Sequence, residues 1–172
     1  MTAKEAWDSM MNGKKVRCTF WCKDAYVYFD ENNMVVKDNK GVVQFCGIYD
    51  TWELYEEPKK LIRVFISQPM NGQSNCEIIE ERNKIKKVVE EKYDKDYQIQ
   101  YLNENLWERP KDWTRIQNLG YSIMNMHDAD VVVFAPDWND APGCLIEHEV
   151  AFFYDKRIYV CEADSHGEYR LF

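Results

Sequence analysis

The residues best equipped for chemistry lie in one stretch, APDWNDAPGCLIEHEVA, residues 135 to 151. Gly143, Glu147 and Ala151 are spaced four apart, so on a helix they share one face. Glu147 then projects about one turn into that helix, and the small residues on either side leave room for a ring. A carboxylate near a helix N-terminus is held in its charged form by roughly 0.3–1 kcal/mol. That suits a nucleophile or a hydroxyl-binding anion better than a general acid. Asp137, Trp138 and Asp140 lie on the adjoining loop. Asn139 or Asp140 can cap the helix, with Pro142 in its first turn. The pattern alone also fits a glutamate that merely decorates a helix N-terminal turn, where Glu is common.

Other chemistries are excluded residue by residue. No GxGxxG and no GxxxxGK[ST] is present, so neither a dinucleotide fingerprint nor a P-loop is expected. His148-Glu149 opens a string like HExxH, but Phe152 stands where the second histidine belongs. No serine sits in a GxSxG elbow. The six cysteines are scattered; Cys18, Cys22 and Cys46 could supply three metal ligands, but no fourth is evident and reduced thiols are the default. No metal and no cofactor is expected.

The elements that must position Glu147 follow from hydrophobic periodicity. After about residue 58 the pattern alternates β and α: strands Leu61–Ser67, Tyr97–Leu102, Val131–Ala135 and Arg157–Cys161, with helices Ser74–Tyr93, Asp112–Met126 and Gly143–Tyr154. The near-continuous apolar runs of the strands predict a parallel sheet covered on both faces. The expected fold is α/β, a doubly wound, flavodoxin- or Rossmann-like parallel sheet of about four to five strands. Such sheets bind ligands at the carboxyl ends of their strands, which singles out Ser67–Gly72, Pro136–Gly143 and the tail after Cys161. Residues 1–57 read as a small α+β domain: a helix over Thr2–Asn12, then β-type runs at Lys15–Trp21, Ala25–Asp30, Met34–Lys37, Val42–Cys46 and Thr51–Tyr55, with turns at Asn32-Asn33 and Asn39-Lys40-Gly41. Residues 58–172 form the second domain.

Composition limits the partners. Of 172 residues, 22 are Lys or Arg and 30 are Asp or Glu, a net charge of −8 with no run of one sign. Binding to nucleic-acid phosphates through bulk charge is therefore disfavoured, whereas a small ligand in a local pocket is not. No apolar run approaches the roughly 20 residues that span a bilayer, and the N-terminal residues do not read as a signal peptide, so a cytoplasmic protein without membrane contact is expected. Aromatic residues number 25, and 10 of them fall in the first 57 residues. That excess reads as a buried interface or a base-stacking surface.

Three motifs, Phe65-Ile66-Ser67-Gln68-Pro69-Met70-Asn71-Gly72, Ala129-Asp130-Val131-Val132-Val133 and Gly143-x3-Glu147-x3-Ala151, together resemble the nucleoside 2-deoxyribosyltransferase-like superfamily over about residues 60–162. The branch it is most similar to is common in phage and bacterial genomes. The resemblance implies that Glu147 attacks the anomeric carbon of a nucleoside or nucleotide, with Asp137 or Asp140 as acid. It also implies that Ser67, Gln68, Pro69, Met70, Asn71, Trp138, Gly143, Ser122 and Asp130 line the ligand site. Ser122 stands where the enzymes of the family carry an aspartate, Ala141 replaces an acidic residue, and Gln68 replaces a frequent glycine. Asp130 reads equally well as a structural cap. Relatives build active sites across subunit contacts, which implies a homo-oligomer, and an aromatic of the tail, Tyr169 or Phe172, could close a neighbour's pocket.

The N-terminal segment, through Ala6-Trp7, Asn12-Gly13-Lys14-Lys15-Val16-Arg17, Trp21 and Trp52-Glu53-Leu54-Tyr55, is similar over about residues 2–56 to small phage domains of the Thoeris anti-defence 2-like type. Characterised members of that family sequester cyclic ADP-ribose-like signals. Three functions are thus open: an enzyme of N-glycosidic bonds, a non-catalytic binder of a nucleotide signal, and an oligomeric structural module.

Overall fold

The computed structural model describes residues 1–32, 35–43, 45, 51–104 and 109–172. The chain forms two compact units, Met1–Pro58 and Lys59–Phe172.

In the first unit, helix α1 (Ala3–Met11) begins at a capping box in which Thr2 and Glu5 satisfy each other's backbone N–H groups. It buries Ala6 and Met10 against an antiparallel sheet of β1 (Val16–Cys18), β2 (Val27–Asp30), β3 (Val35–Asp38), β4 (Gly41–Val42) and β5 (Trp52–Leu54), in the order β4-β3-β2-β1-β5. The strands are shorter than their β-type runs. The run from Lys15 ends at Cys18 because the Arg17 guanidinium donates to the Trp21 and Lys23 carbonyls and folds that segment into turns. Of the expected run Val42–Cys46, only Val42 is in a strand; Gln44 and Cys46 lie outside the described residues, as do Asn33 and Met34. The aromatic excess goes largely into ring-on-ring packing inside this unit. Trp21 meets Trp52 edge-on at 5.4 Å, Phe45 lies 4.8 Å from Trp52, and Tyr26 stacks on Tyr55 at 4.4 Å. Cys18 is buried and Cys22 exposed; Cys46 falls outside the described residues.

The second unit contains β6 (Lys60–Ser67), α2 (Asn75–Tyr93), β7 (Tyr97–Tyr101), α3 (Arg115–Met126), β8 (Val131–Phe134), α4 (Pro142–Phe153), β9 (Arg157–Ala163) and β10 (Tyr169–Leu171). Its sheet is mixed and mostly parallel, in the order β10-β9-β8-β6-β7, with β10 alone antiparallel. Strand period two sorts the side chains: Ile62, Val64 and Ile66 pack with Ile85, Val89 and Tyr93 of α2, whereas Phe65, Val132 and Phe134 pack with Met126 of α3 and with Cys144 and Ala151 of α4. Strands buried on both faces are why β6 and β8 read as continuous apolar runs. The strand β10 has no counterpart in the sequence reading. Its three residues are too few for a periodicity, and pairing with β9 defines it.

Candidate functional site

Three elements converge on Glu147. Helix α4 carries it on its inner face with Cys144 and Ala151. There it is 6% exposed, and its Oε2 accepts a 2.5 Å hydrogen bond from Ser67 Oγ at the carboxyl end of β6. Ser122, buried on α3, also faces this carboxylate and favours its charged form. Burial pushes the Glu147 carboxyl above its ordinary value, and the two hydroxyls and the positive charge of Arg109 only partly offset that. The expected holding of the charge by the helix N-terminus is therefore outweighed by desolvation. Ser67 also hydrogen-bonds with Cys144, whose thiol burial pushes up to about 11, so it is not a thiolate at neutral pH. A Cβ built on Gly143 meets nothing within 4 Å, which leaves open space one turn before Glu147.

The segment between β8 and α4 differs from expectation. Asp137 takes a left-handed backbone, φ 57°, and starts a short 3₁₀ turn, Trp138–Asp140, closed by the bond from Asp140 N to Asp137 O. That turn absorbs Asn139 and Asp140, so neither caps α4; the N-cap is Ala141, without a side-chain bond, and Pro142 occupies the first turn. Asp137 and Asp140 are exposed, in contrast to the buried Glu147. Trp138 is half-buried, stacked on His148 at 4.5 Å and tilted against Phe134 at 5.0 Å.

Gln68 turns to the opposite face of the sheet from Ser67. Its Nε2 donates to the Ile78 carbonyl (3.0 Å) and to Glu81 Oε2 (2.7 Å), and its Oε1 is buried without a partner. Tyr169 hydrogen-bonds with the same Glu81. The tail is thus tied into its own sheet, with β10 paired to β9 and Phe172 exchanging backbone bonds with Val160. Pro69 is half-buried, while Met70 and Asn71 are exposed, and the loop turns at Gly72 with φ +84°.

Asp130 is set apart from the other expected site residues. It precedes β8, and so sits about 13 Å, one four-residue strand, from the carboxyl ends. There it accepts from the Arg63 backbone N (2.8 Å) and guanidinium, whose charge and bonds hold its carboxyl below the usual range. Its geometry is that of a strap from the start of β8 to the middle of β6.

Two positions that the motifs did not reveal support the site. Asn103 follows β7, and its side chain continues the strand ladder after the backbone has left it. Oδ1 accepts from Ile66 N (3.2 Å) and Nδ2 donates to Ile66 O (2.7 Å). Arg82, buried on α2, donates to the Asn103 carbonyl and Oδ1 and is pulled down to about 10 by burial. This network fixes the end of β6 one residue before Ser67. Its only sequence signals are an arginine on the apolar face of α2 and an asparagine just after a strand. No helix among the described residues is long and apolar enough to cross a membrane. No protein-family model, curated protein or solved structure matches the chain.

Proposed function

We propose that the protein handles a nucleoside or nucleotide, cleaving or exchanging its N-glycosidic bond through Glu147, as a divergent member of the nucleoside 2-deoxyribosyltransferase-like superfamily. The observation that carries this reading is the buried Glu147 carboxylate, hydrogen-bonded by Ser67 and faced by Ser122, at the carboxyl end of β6. Read as a doubly wound sheet, the strand order reverses between β6 and β8, and such a switch point is where ligands bind.

In the proposed reaction a Glu147 oxygen forms a bond to the anomeric carbon as the carbon–nitrogen bond to the base breaks. The bonding pair leaves with the base, which takes a proton from Asp137 or Asp140. A second base, or water, then displaces the carboxylate and gives up its own proton to the Asp137 or Asp140 carboxylate left by the first step. The two serine hydroxyls orient the carboxylate, and the space at Gly143 accommodates the sugar. Because attack needs the ionised carboxylate, the rate should rise with pH through a Glu147 value above the ordinary one.

Incubation with nucleosides, nucleoside monophosphates and NAD-derived cyclic nucleotides, followed by chromatography for free base, tests the proposal. Base release that Glu147→Ala leaves unchanged would rule out the nucleophile. A second reading, sequestration of a nucleotide signal without turnover, is favoured by burial that disfavours the ionised Glu147 needed for attack, and by the exposure of both candidate acids. It fits the resemblance of the N-terminal unit to the Thoeris anti-defence 2-like domain. Intact ligand recovered after heat denaturation would select it. If no ligand raises the melting temperature, the structural-module reading stands.

A further inference from the structure

Arg109 is a charged residue that the chemistry proposed for Glu147 leaves without a task. It is half-buried in the connection from β7 to α3, which starts at the carboxyl ends of the parallel strands, as do Ser67 and Asn103. Its charge bears on the Glu147 carboxylate and on the Arg82 guanidinium. Its guanidinium carbon lies 5.4 Å from the centroid of the Tyr121 ring. Tyr121 precedes Ser122 on α3, so one turn of that helix supplies both the ring against Arg109 and the serine that faces Glu147. A ring contact occupies one face of the planar guanidinium and leaves its N–H edge to another partner. Arg109 Nε is buried and has no hydrogen-bond partner. Among the described residues Arg17, Arg63 and Arg170 form ion pairs with carboxylates, and Arg109 forms none.

Local charge points to what Arg109 holds. The chain is acidic, with a net charge of −8, yet here two guanidiniums lie close enough to repel each other. Arg82 is bound by two neutral oxygens of Asn103, at 2.7 and 2.6 Å. Glu104, whose charge also bears on Arg82, is paired with Lys86. Glu147 is bonded to Ser67, and burial disfavours its charge. Neither guanidinium is bonded to a carboxylate among the described residues. A half-buried cation in that state is costly until an anion completes it. The guanidinium fork matches two oxygens of a phosphate, and an uncharged nucleoside offers it nothing equivalent. We infer that Arg109 holds the phosphate of a sugar-phosphate ligand, so that the site takes a nucleoside monophosphate in preference to the parent nucleoside. The inference rests on the nucleoside or nucleotide reading of this site, but on its binding and not on turnover at Glu147.

Calorimetric titration with a panel of nucleosides, each beside its 5′- and its 3′-monophosphate, tests it. At least one monophosphate should bind roughly ten- to a hundredfold more tightly than its parent, the range for hydrogen bonds to a charged group. Arg109→Gln should erase most of that ratio, and Arg109→Lys, which keeps the charge without the fork, should retain part of it. Parent nucleosides that bind as tightly as their monophosphates overturn the inference, while base release from them would still uphold Glu147. A ratio unchanged in Arg109→Gln overturns it too, by placing the phosphate elsewhere. A ratio lost in Arg109→Gln supports it even where chromatography finds no free base. Binding of no panel member overturns it together with the reading it rests on. If Arg109→Gln fails to fold, Arg109→Lys and competition by inorganic phosphate decide. The anion should displace the monophosphate and affect the nucleoside much less, and an absence of competition overturns the inference.

Discussion

Replacing Glu147 by glutamine should stabilise the folded protein at neutral pH, and by more the higher the pH. Glutamine keeps the shape and can still accept from Ser67 and Ser122, so the substitution removes only the buried charge. That charge has two hydroxyls and the nearby Arg109 to offset its lost hydration, and burial is the larger effect. A polar group buried with incomplete compensation costs about 1–3 kcal/mol, equivalent to a rise of roughly 3–10 °C in Tm for a chain of this size. The folded-state carboxyl lies above its ordinary value. Its stabilising contribution is therefore complete below the unfolded value and is lost as pH rises through the folded one. Wild type and Glu147→Gln should then melt almost together near pH 4 and diverge toward pH 8. Thermal melts of both proteins across that range, compared as differences so that other titrating groups cancel, give the measurement. Glu147→Ala should be less stable than wild type at the acidic end, where it leaves the Ser67 and Ser122 hydroxyls unpaired. A Glu147→Gln variant less stable at pH 7, or a difference that does not change with pH, would refute the reasoning. A buried acid retained at a cost in stability is the pattern expected of a residue kept for function.

Asn103→Ala should lower stability by about 2–3 kcal/mol, because the Ile66 backbone loses both partners and Arg82 keeps only the residue-103 carbonyl of its two acceptors; denaturant unfolding measures it. Asp130→Asn should leave ligand affinity unchanged and cost less than about 1 kcal/mol, since its pair with Arg63 is exposed and lies at the far strand ends. A large loss of affinity in that variant would return Asp130 to the ligand site. Gly143→Phe should fold normally and abolish ligand-induced stabilisation by filling the space before Glu147; ligand-induced Tm shifts retained in the variant would mean that the ligand sits elsewhere. Deleting residues 169–172 removes β10 and the Tyr169 contact with Glu81, so the melting temperature should fall even without ligand.

Much of the architecture was legible because local rules and tertiary packing agree. Capping boxes at Thr2, Ser74 and Thr114 mark helix starts that the periodicity had placed within a few residues. The apolar runs of β6 and β8 are continuous because helices cover both their faces. The four-residue spacing of Gly143, Glu147 and Ala151 puts the three on one helical face, and α4 buries Glu147 and Ala151.

Other features depend on residues far apart in the chain. Ser67 and Glu147 are 80 positions apart and meet only when β6 and α4 pack, so the burial that raises the carboxyl had no local signature. The motif that grouped Asp130 with the ligand residues records proximity along the chain, whereas strand direction leaves it at the amino end of β8, away from the carboxyl ends. Asn103 stands in for a backbone ladder bond, a role visible only once β7 lies beside β6. From the sequence alone came the alternation of elements and the helical face that carries Glu147. Which polar groups share its burial, and whether desolvation or the helix N-terminus governs its charge, were decided by tertiary packing, because electrostatics depends on distance through space.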